Sequence, residues 1–238
     1  MRQPRARGAL PRRSTTPPGR SRPGTGACAS SAAIWPERVA TALQKLLPEL
    51  RACTHCEPAL PLGARPIFQL DGRAPILIAS QAPGRVTHAK GRPFDDISGD
   101  RLRAWLGVSC ETFYDPRCFA ILPMGLCFPG TRAGGDLPPR PECAVRWRPR
   151  LLGALPRVRL TLAIGQHALG WHLASKASVD ELVSAWRVGL ARGLLPLPHP
   201  SPRNQRWLRQ RPWFEAEVLP ALREAVADIL RPTARPLP

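Results

Sequence analysis

Apolar residues in this chain fall into short unbroken runs, separated by stretches in which they recur every three or four positions. The clearest run is Ile76, Leu77, Ile78 and Ala79. A run this short, with no polar alternation, predicts a strand buried on both faces. Similar runs at 119–123 and 194–197, and the stretch 158–164 in which Arg159 and Thr161 interrupt the apolar residues, predict three more strands. Val39, Leu43, Leu46 and Leu47 recur at helical spacing, so residues 36–50 are expected to form a helix. Further helices are expected at 99–106, at 143–155 before Pro156, from Gly165 through Trp171, and at 213–230, a long amphipathic closing segment. Residues 125–141, rich in Gly and Pro, read as a long loop. Strands alternating with helices predict an α/β fold: a three-layer α/β/α sandwich around a short parallel sheet.

Composition divides the chain. Residues 1–33 hold Arg, Pro, Gly, Ser and Ala with no acidic residue, too little apolar surface to fold alone. They are expected to form a disordered basic arm, or to reflect an over-extended start site. The folded domain is placed at 34–230, and 231–238 is read as a second disordered tail. Lys and Arg number 35 against 17 acidic residues, a formal charge of +18. Such an excess points to a polyanionic partner, most simply nucleic acid, although GC-rich coding inflates arginine in the same way. No apolar run reaches the length of a membrane span, and the basic N-terminus lacks a signal-peptide core. The expected setting is cytoplasmic, without a membrane partner.

Two loops carry the candidate chemistry. Ser80-Gln81-Ala82-Pro83-Gly84 leaves the first predicted strand, and His199-Pro200-Ser201-Pro202-Arg203-Asn204 leaves the last. In an open parallel sheet, strand exits on one edge converge, so loops distant in sequence can form one cleft. Among the seven cysteines, Cys53 and Cys56 form a CxxC pair, and Cys127 and Cys143 lie where they could swing toward it. Four thiolates suit either a [4Fe–4S] cluster or structural zinc, and spacing alone does not separate them. His55, between the first pair, is an alternative ligand or a solvent-facing loop residue. Cys110 and Cys118 are read as packed small apolar groups.

The order of these features resembles the uracil-DNA glycosylase superfamily, most closely its iron–sulfur branch, family 4. The resemblance runs from about residue 47 to 230. It rests on Cys53 and Cys56 before the first strand, the Ala82-Pro83-Gly84 loop, Gly91-Arg92-Pro93-Phe94, Cys127, Cys143, Ile164-Gly165 and His199-Pro200. It implies a [4Fe–4S] cluster on the four cysteines, with zinc the lesser alternative. It also implies a monofunctional glycosylase of base-excision repair, a bacterial monomer associated with the nucleoid when acting. Its partner would be single- or double-stranded DNA with a damaged base flipped out of the stack. By the same resemblance Phe94 stacks on that base, and the backbone of the loop Ala82, Pro83 and Gly84 positions water or a phosphate. His199 donates a hydrogen bond to the departing base as negative charge builds on it. Pro200, Ser201 and Pro202 pinch the DNA backbone, and Arg203 and Asn204 enter the minor groove.

Two positions depart from the branch. Gln81 replaces its glutamate, and an amide can orient water but cannot accept a proton. Pro123 stands where an asparagine would read the pyrimidine edge. Asp95 or Asp96 is expected to compensate by stabilising the sugar cation and orienting water, unless they only cap the following helix. Asp100 follows nearby, His88 is read as a phosphate contact or an exposed residue, and Met124 and Gly125 as backbone lining. A glycosylase-fold protein that binds DNA but has lost catalysis is the second reading, and an enzyme on another nucleoside or nucleotide is the third.

Overall fold

The computed structural model describes residues 37–133 and 135–231; the basic arm, the last residues of the C-terminal tail and the start of the predicted domain lie outside them. Four strands form one parallel sheet: β1 (Ile76–Ala79), β2 (Phe119–Ile121), β5 (Leu160–Ile164) and β6 (Leu194–Leu197), in the order β2-β1-β5-β6. Between β2 and β5 the predicted loop contains a two-stranded antiparallel hairpin, β3 (Thr131–Arg132) and β4 (Gly135–Asp136). Strands of two residues are too short to show a period, which is why sequence pattern read this segment as loop.

Both sheet faces are covered, as the unbroken apolar runs require. Ile76 and Ile78 face a cluster with Phe119, Ile121 and Leu162, together with residues of α3 (Ile97–Leu106), α4 (Cys110–Tyr114) and α10 (Leu219–Leu230). Leu77, Ala120 and Leu122 face the other way, onto α1 (Glu37–Arg51) and α5 (Pro141–Gly153). Ala79 and Ala163 pack on α6 (Gly165–His172), where small side chains allow close approach. The architecture is the three-layer α/β/α sandwich. Pro196 lies within β6, which among the described residues is an edge strand paired with β5 alone, where a missing backbone donor is tolerated.

Short helices complete the shell: α2 (Arg85–Lys90), α7 (Val179–Ser184), α8 (Trp186–Ala191) and α9 (Gln205–Arg209). The closing segment is not one regular helix. Phe214–Val218 is a π-turn that runs directly into α10, whose second residue is Pro220. Proline has no N–H and its ring displaces the carbonyl four residues back, and a wider turn relieves both. Cys118 is fully buried, whereas Cys110, expected to be packed, is exposed at the start of α4.

Arg148 on α5 is 1% exposed and donates to the carbonyls of Leu122 and Pro123 at 3.0 and 3.3 Å. Its Nη2 lies 2.5 Å from His172 Nε2. Burial first, and then the Arg148 charge, lower the His172 pKa from 6.5 to about 4. The unfolded chain therefore binds this proton more readily than the folded one. The stability carried by the neutral ring is whole above pH 6.5 and is lost as pH falls toward 4, at ~1.4 kcal/mol per pH unit. His172→Gln is expected to flatten the decline of melting temperature across that window in a pH series of thermal unfolding.

Candidate active site

The order in which strands are added reverses between β1 and β5, since the chain leaves β1 toward β2 and leaves β5 toward β6. A crevice opens at the carboxyl ends of strands at such a point. Here it is a cavity of about 420 Å³. The two loops singled out in sequence meet there: Ser80, Gln81, Ala82, Pro83 and Gly84 form one wall, and His199, Ser201, Arg203 and Asn204 another. Phe94 and Asp96 line it from the segment before α3, and Pro123 from the exit of β2. The wall continues the sheet, because Leu122, Met124 and Gly125 donate to the carbonyls of Ile78, Ser80 and Gln81 at 2.9, 2.8 and 2.9 Å. Met124 and Gly125 thus support the wall through their backbones without lining the cavity.

His199 is held on both sides. Its Nδ1 accepts a hydrogen bond from the Ser201 N–H at 3.2 Å, and its carbonyl accepts from Asn204 Nδ2 at 2.7 Å. With Nδ1 accepting, the neutral ring carries its proton on Nε2. Burial lowers the His199 pKa, and the Asp96 charge opposes that shift. The ring is thereby a neutral donor in a fixed tautomer.

Phe94 occupies a left-handed backbone conformation (φ 54°), costly for a residue with a side chain. Its carbonyl accepts from Tyr114 Oη at 3.0 Å and Arg103 Nη1 at 3.3 Å, and its ring meets Phe113 edge-on. The ring is 8% exposed, so it serves the core and the cavity wall together. Gly99 makes this possible. A Cβ at Gly99 would fall inside the envelope of the Phe94 carbonyl oxygen, and the Gly99 N–H donates to Asp96 Oδ1 at 2.9 Å. Gly99→Ala is expected to cost about 3 kcal/mol by overpacking and to push Phe94 out of the wall. Thermal unfolding together with Phe94→Ala as a comparison checks both parts.

The structure separates the two candidate carboxylates. Asp95 turns away from the cavity into ion pairs with Lys90 (3.1 Å) and Arg92 (2.8 Å), so the expectation of a catalytic Asp95 finds no geometric support. Asp96 lines the cavity and also caps α3, so the capping and the site readings both hold for it. Asp100 is exposed and pairs with Arg103. Of the DNA-pinching residues, Pro200 is buried and Pro202 is exposed beyond the cavity lining. His88, read as exposed or phosphate-facing, is instead 8% exposed beside Phe128. Asp136 on the hairpin lines the cavity and was not singled out in sequence. The available signal was an acid directly after paired glycines, Gly134 and Gly135, in an otherwise Pro-rich stretch.

A second, smaller cavity is lined by all four cysteines, with Leu126, Arg140 and Trp147 among its other walls. Cys53 and Cys56 lie in the turn after α1, Cys143 in the first turn of α5, and Cys127 in the loop after β2. Trp147 Nε1 donates to Cys53 Sγ at 3.3 Å, and the Leu126 N–H to Cys143 Sγ at 3.4 Å. Burial raises the thiol pKa of Cys127 to about 11 and of Cys143 to about 12. Among the described residues no group of His, Cys, Asp or Glu is arranged to hold a single metal ion. His55 is exposed outside this cavity. No described helix is long and apolar enough to cross a membrane.

The sheet order, the switch-point cavity and its paired loops agree with one comparison. A family model, Uracil DNA glycosylase superfamily, matches residues 68–223, from before β1 into α10. That match covers well over half of the chain and both cavity-forming loops, and the protein belongs to the uracil DNA glycosylase superfamily.

Proposed function

We propose that this protein is a monofunctional DNA glycosylase that hydrolyses the N-glycosidic bond of uracil or another deaminated base and leaves an abasic site. The observation that carries the reading is His199: a half-buried, neutral imidazole whose Nδ1 is occupied, leaving an Nε2–H donor in a cavity of about 420 Å³. As the base departs, its ring takes up the bonding electron pair. A preorganised donor stabilises that charge without rearrangement. Phe94 offers an apolar surface against the base, and Arg203 at the rim supplies positive charge for phosphate. No lysine stands in a matching motif position, so no Schiff-base step is included.

The four cysteines fit a [4Fe–4S] cluster better than other groups. They form an all-sulfur donor set around one cavity, with N–H donors aimed at two sulfurs, as thiolate ligation of such a cluster would require. Such a cluster would tie the CxxC turn, the Cys127 loop and α5 together; zinc is the alternative. Bound iron and sulfide, with visible absorption, support the cluster. Stoichiometric zinc without iron rejects it.

Gln81 and Pro123 favour a second reading, a glycosylase fold that docks on DNA without catalysis. Oligonucleotides carrying one uracil, hypoxanthine or xanthine, single-stranded and duplex, separate the two after alkali treatment. Strand breaks at the modified base support the glycosylase. Retained binding with no break on any substrate supports the docking protein.

A further inference from the structure

The first loop forms a wall of the cavity without contributing an acid. The Gln81 side chain donates from Nε2 to the Leu137 carbonyl at 3.4 Å, pointing toward the strand that carries Asp136. That hairpin returns an acid to the same wall. A Cβ on Gly84 would lie 3.1 Å from Asp136 Oδ2, so the carboxylate rests against the backbone of the first loop. The Leu137 N–H donates to the Gly130 carbonyl at 2.8 Å and closes the base of the hairpin. On its other side the Arg203 guanidinium packs so tightly on Gly135 that a Cβ there would overlap it. Arg203 thereby joins the hairpin to the His199 loop.

The two carboxylates in the cavity have different neighbours. Asp96 is engaged at both oxygens: Oδ1 accepts from the Gly99 N–H at 2.9 Å and Oδ2 from Thr87 Oγ1 at 3.3 Å. It is fixed as a cap and as a negative neighbour of His199. Asp136 is exposed at the cavity mouth, with Arg203 and Asp96 acting on it through charge. Desolvation raises its pKa; Arg203 opposes that shift and Asp96 reinforces it, which makes it a better proton acceptor than a free carboxylate.

We propose that Asp136, delivered by the hairpin, is the general base that holds and deprotonates the attacking water in place of the acid missing at Gln81. The proposal rests on the glycosylase reading. The bond from sugar C1′ to the base nitrogen breaks, and its electron pair leaves with the base, facing His199. Water donates a lone pair to the resulting oxocarbenium carbon, forming the new C–O bond. Its proton passes to an Asp136 oxygen and from there to solvent or to the departing base. The products are the free base and an abasic sugar, with no further reactant.

The test uses the full chain and the oligonucleotide that the wild type cleaves best. Single-turnover rates are measured across pH for wild type, Asp136→Asn and Asp136→Glu, with binding to the uncleaved oligonucleotide and melting temperature measured in parallel. Asp136→Asn is expected to slow cleavage about a hundredfold, with binding and melting temperature unchanged, and to lose the acid limb of the pH profile. Asp136→Glu should recover part of the rate. An active wild type with Asp136→Asn within about threefold of it and the acid limb intact overturns the proposal alone. A wild type that cleaves none of the oligonucleotides overturns the glycosylase reading and the proposal with it.

Discussion

His199→Ala is expected to reduce the single-turnover rate of base release about a thousandfold, while affinity for the uncleaved oligonucleotide stays near wild type. The size follows from where the donor acts. Charge appears on the base only as the glycosidic bond breaks, so the hydrogen bond strengthens on the way to the transition state and adds little to ground-state binding. Removing one such preorganised donor costs ~10²–10³ in rate. The ring cannot be replaced by a water in the same place, because its orientation comes from the Ser201 N–H on Nδ1 and the Asn204 amide on its carbonyl. Asn204→Ala should therefore give a smaller loss of the same kind, in rate and not in binding. A His199→Ala variant within about threefold of wild type would remove His199 from the chemistry.

The second large effect concerns the cysteines. Cys143→Ser is expected to abolish stoichiometric iron, or zinc, in the purified protein and to lower its melting temperature by about 8–16 °C, the equivalent of about 4 kcal/mol. Buried and without a cation, Cys127 and Cys143 hold their protons to about pH 11 and 12. The proposed metal group would turn them into thiolates and would couple three separate segments to one centre. The effect should reach the base cavity. Leu126 donates to Cys143 Sγ, and in the same segment Met124 and Gly125 donate to the carbonyls of Ser80 and Gln81. Loosening the cysteine end thus frees the wall that carries Gln81. A Cys143→Ser protein with full metal content and an unchanged melting temperature would contradict this account.

Much of the fold was legible because its strands are buried on both faces. Ile76 to Ala79 has no solvent face, so its apolar run is unbroken and stands out, and Leu160 to Ile164 is interrupted only by the half-buried Thr161. The two loops at strand exits were legible for a related reason, since glycine and proline mark where chain direction changes. What sequence could not resolve was orientation at the scale of one residue. Asp95 and Asp96 are neighbours of identical chemistry, yet the helix start turns one toward Lys90 and Arg92 and the other into the cavity. Asp136 was missed because its strand has two residues and pairs only within its own hairpin. Its importance comes from contact with Gly84, more than fifty positions away, which no local pattern encodes. Short helices such as α2 and α9 were missed for the same lack of period.

The departures at Gln81 and Pro123 now have different weights. Gln81 sits on the cavity wall beside a carboxylate from another segment, so the acid can come from the hairpin. Pro123 also lines the cavity, and its side chain offers no hydrogen bond to a base edge. In the proposed reaction, discrimination among deaminated bases would fall to backbone groups and to the polar side chains around it, which is why the substrate has to be found by a panel and not by a single assay.

The central claim is that this cavity breaks a glycosidic bond in DNA. Its most direct measurement is alkali-revealed strand scission of 5′-labelled oligonucleotides, single-stranded and duplex, each carrying one uracil, hypoxanthine or xanthine. Wild type and His199→Ala are run side by side. The account predicts cleavage at the modified position by wild type on at least one substrate, and near-complete loss in the variant with DNA binding retained. Binding without scission on every substrate would contradict it.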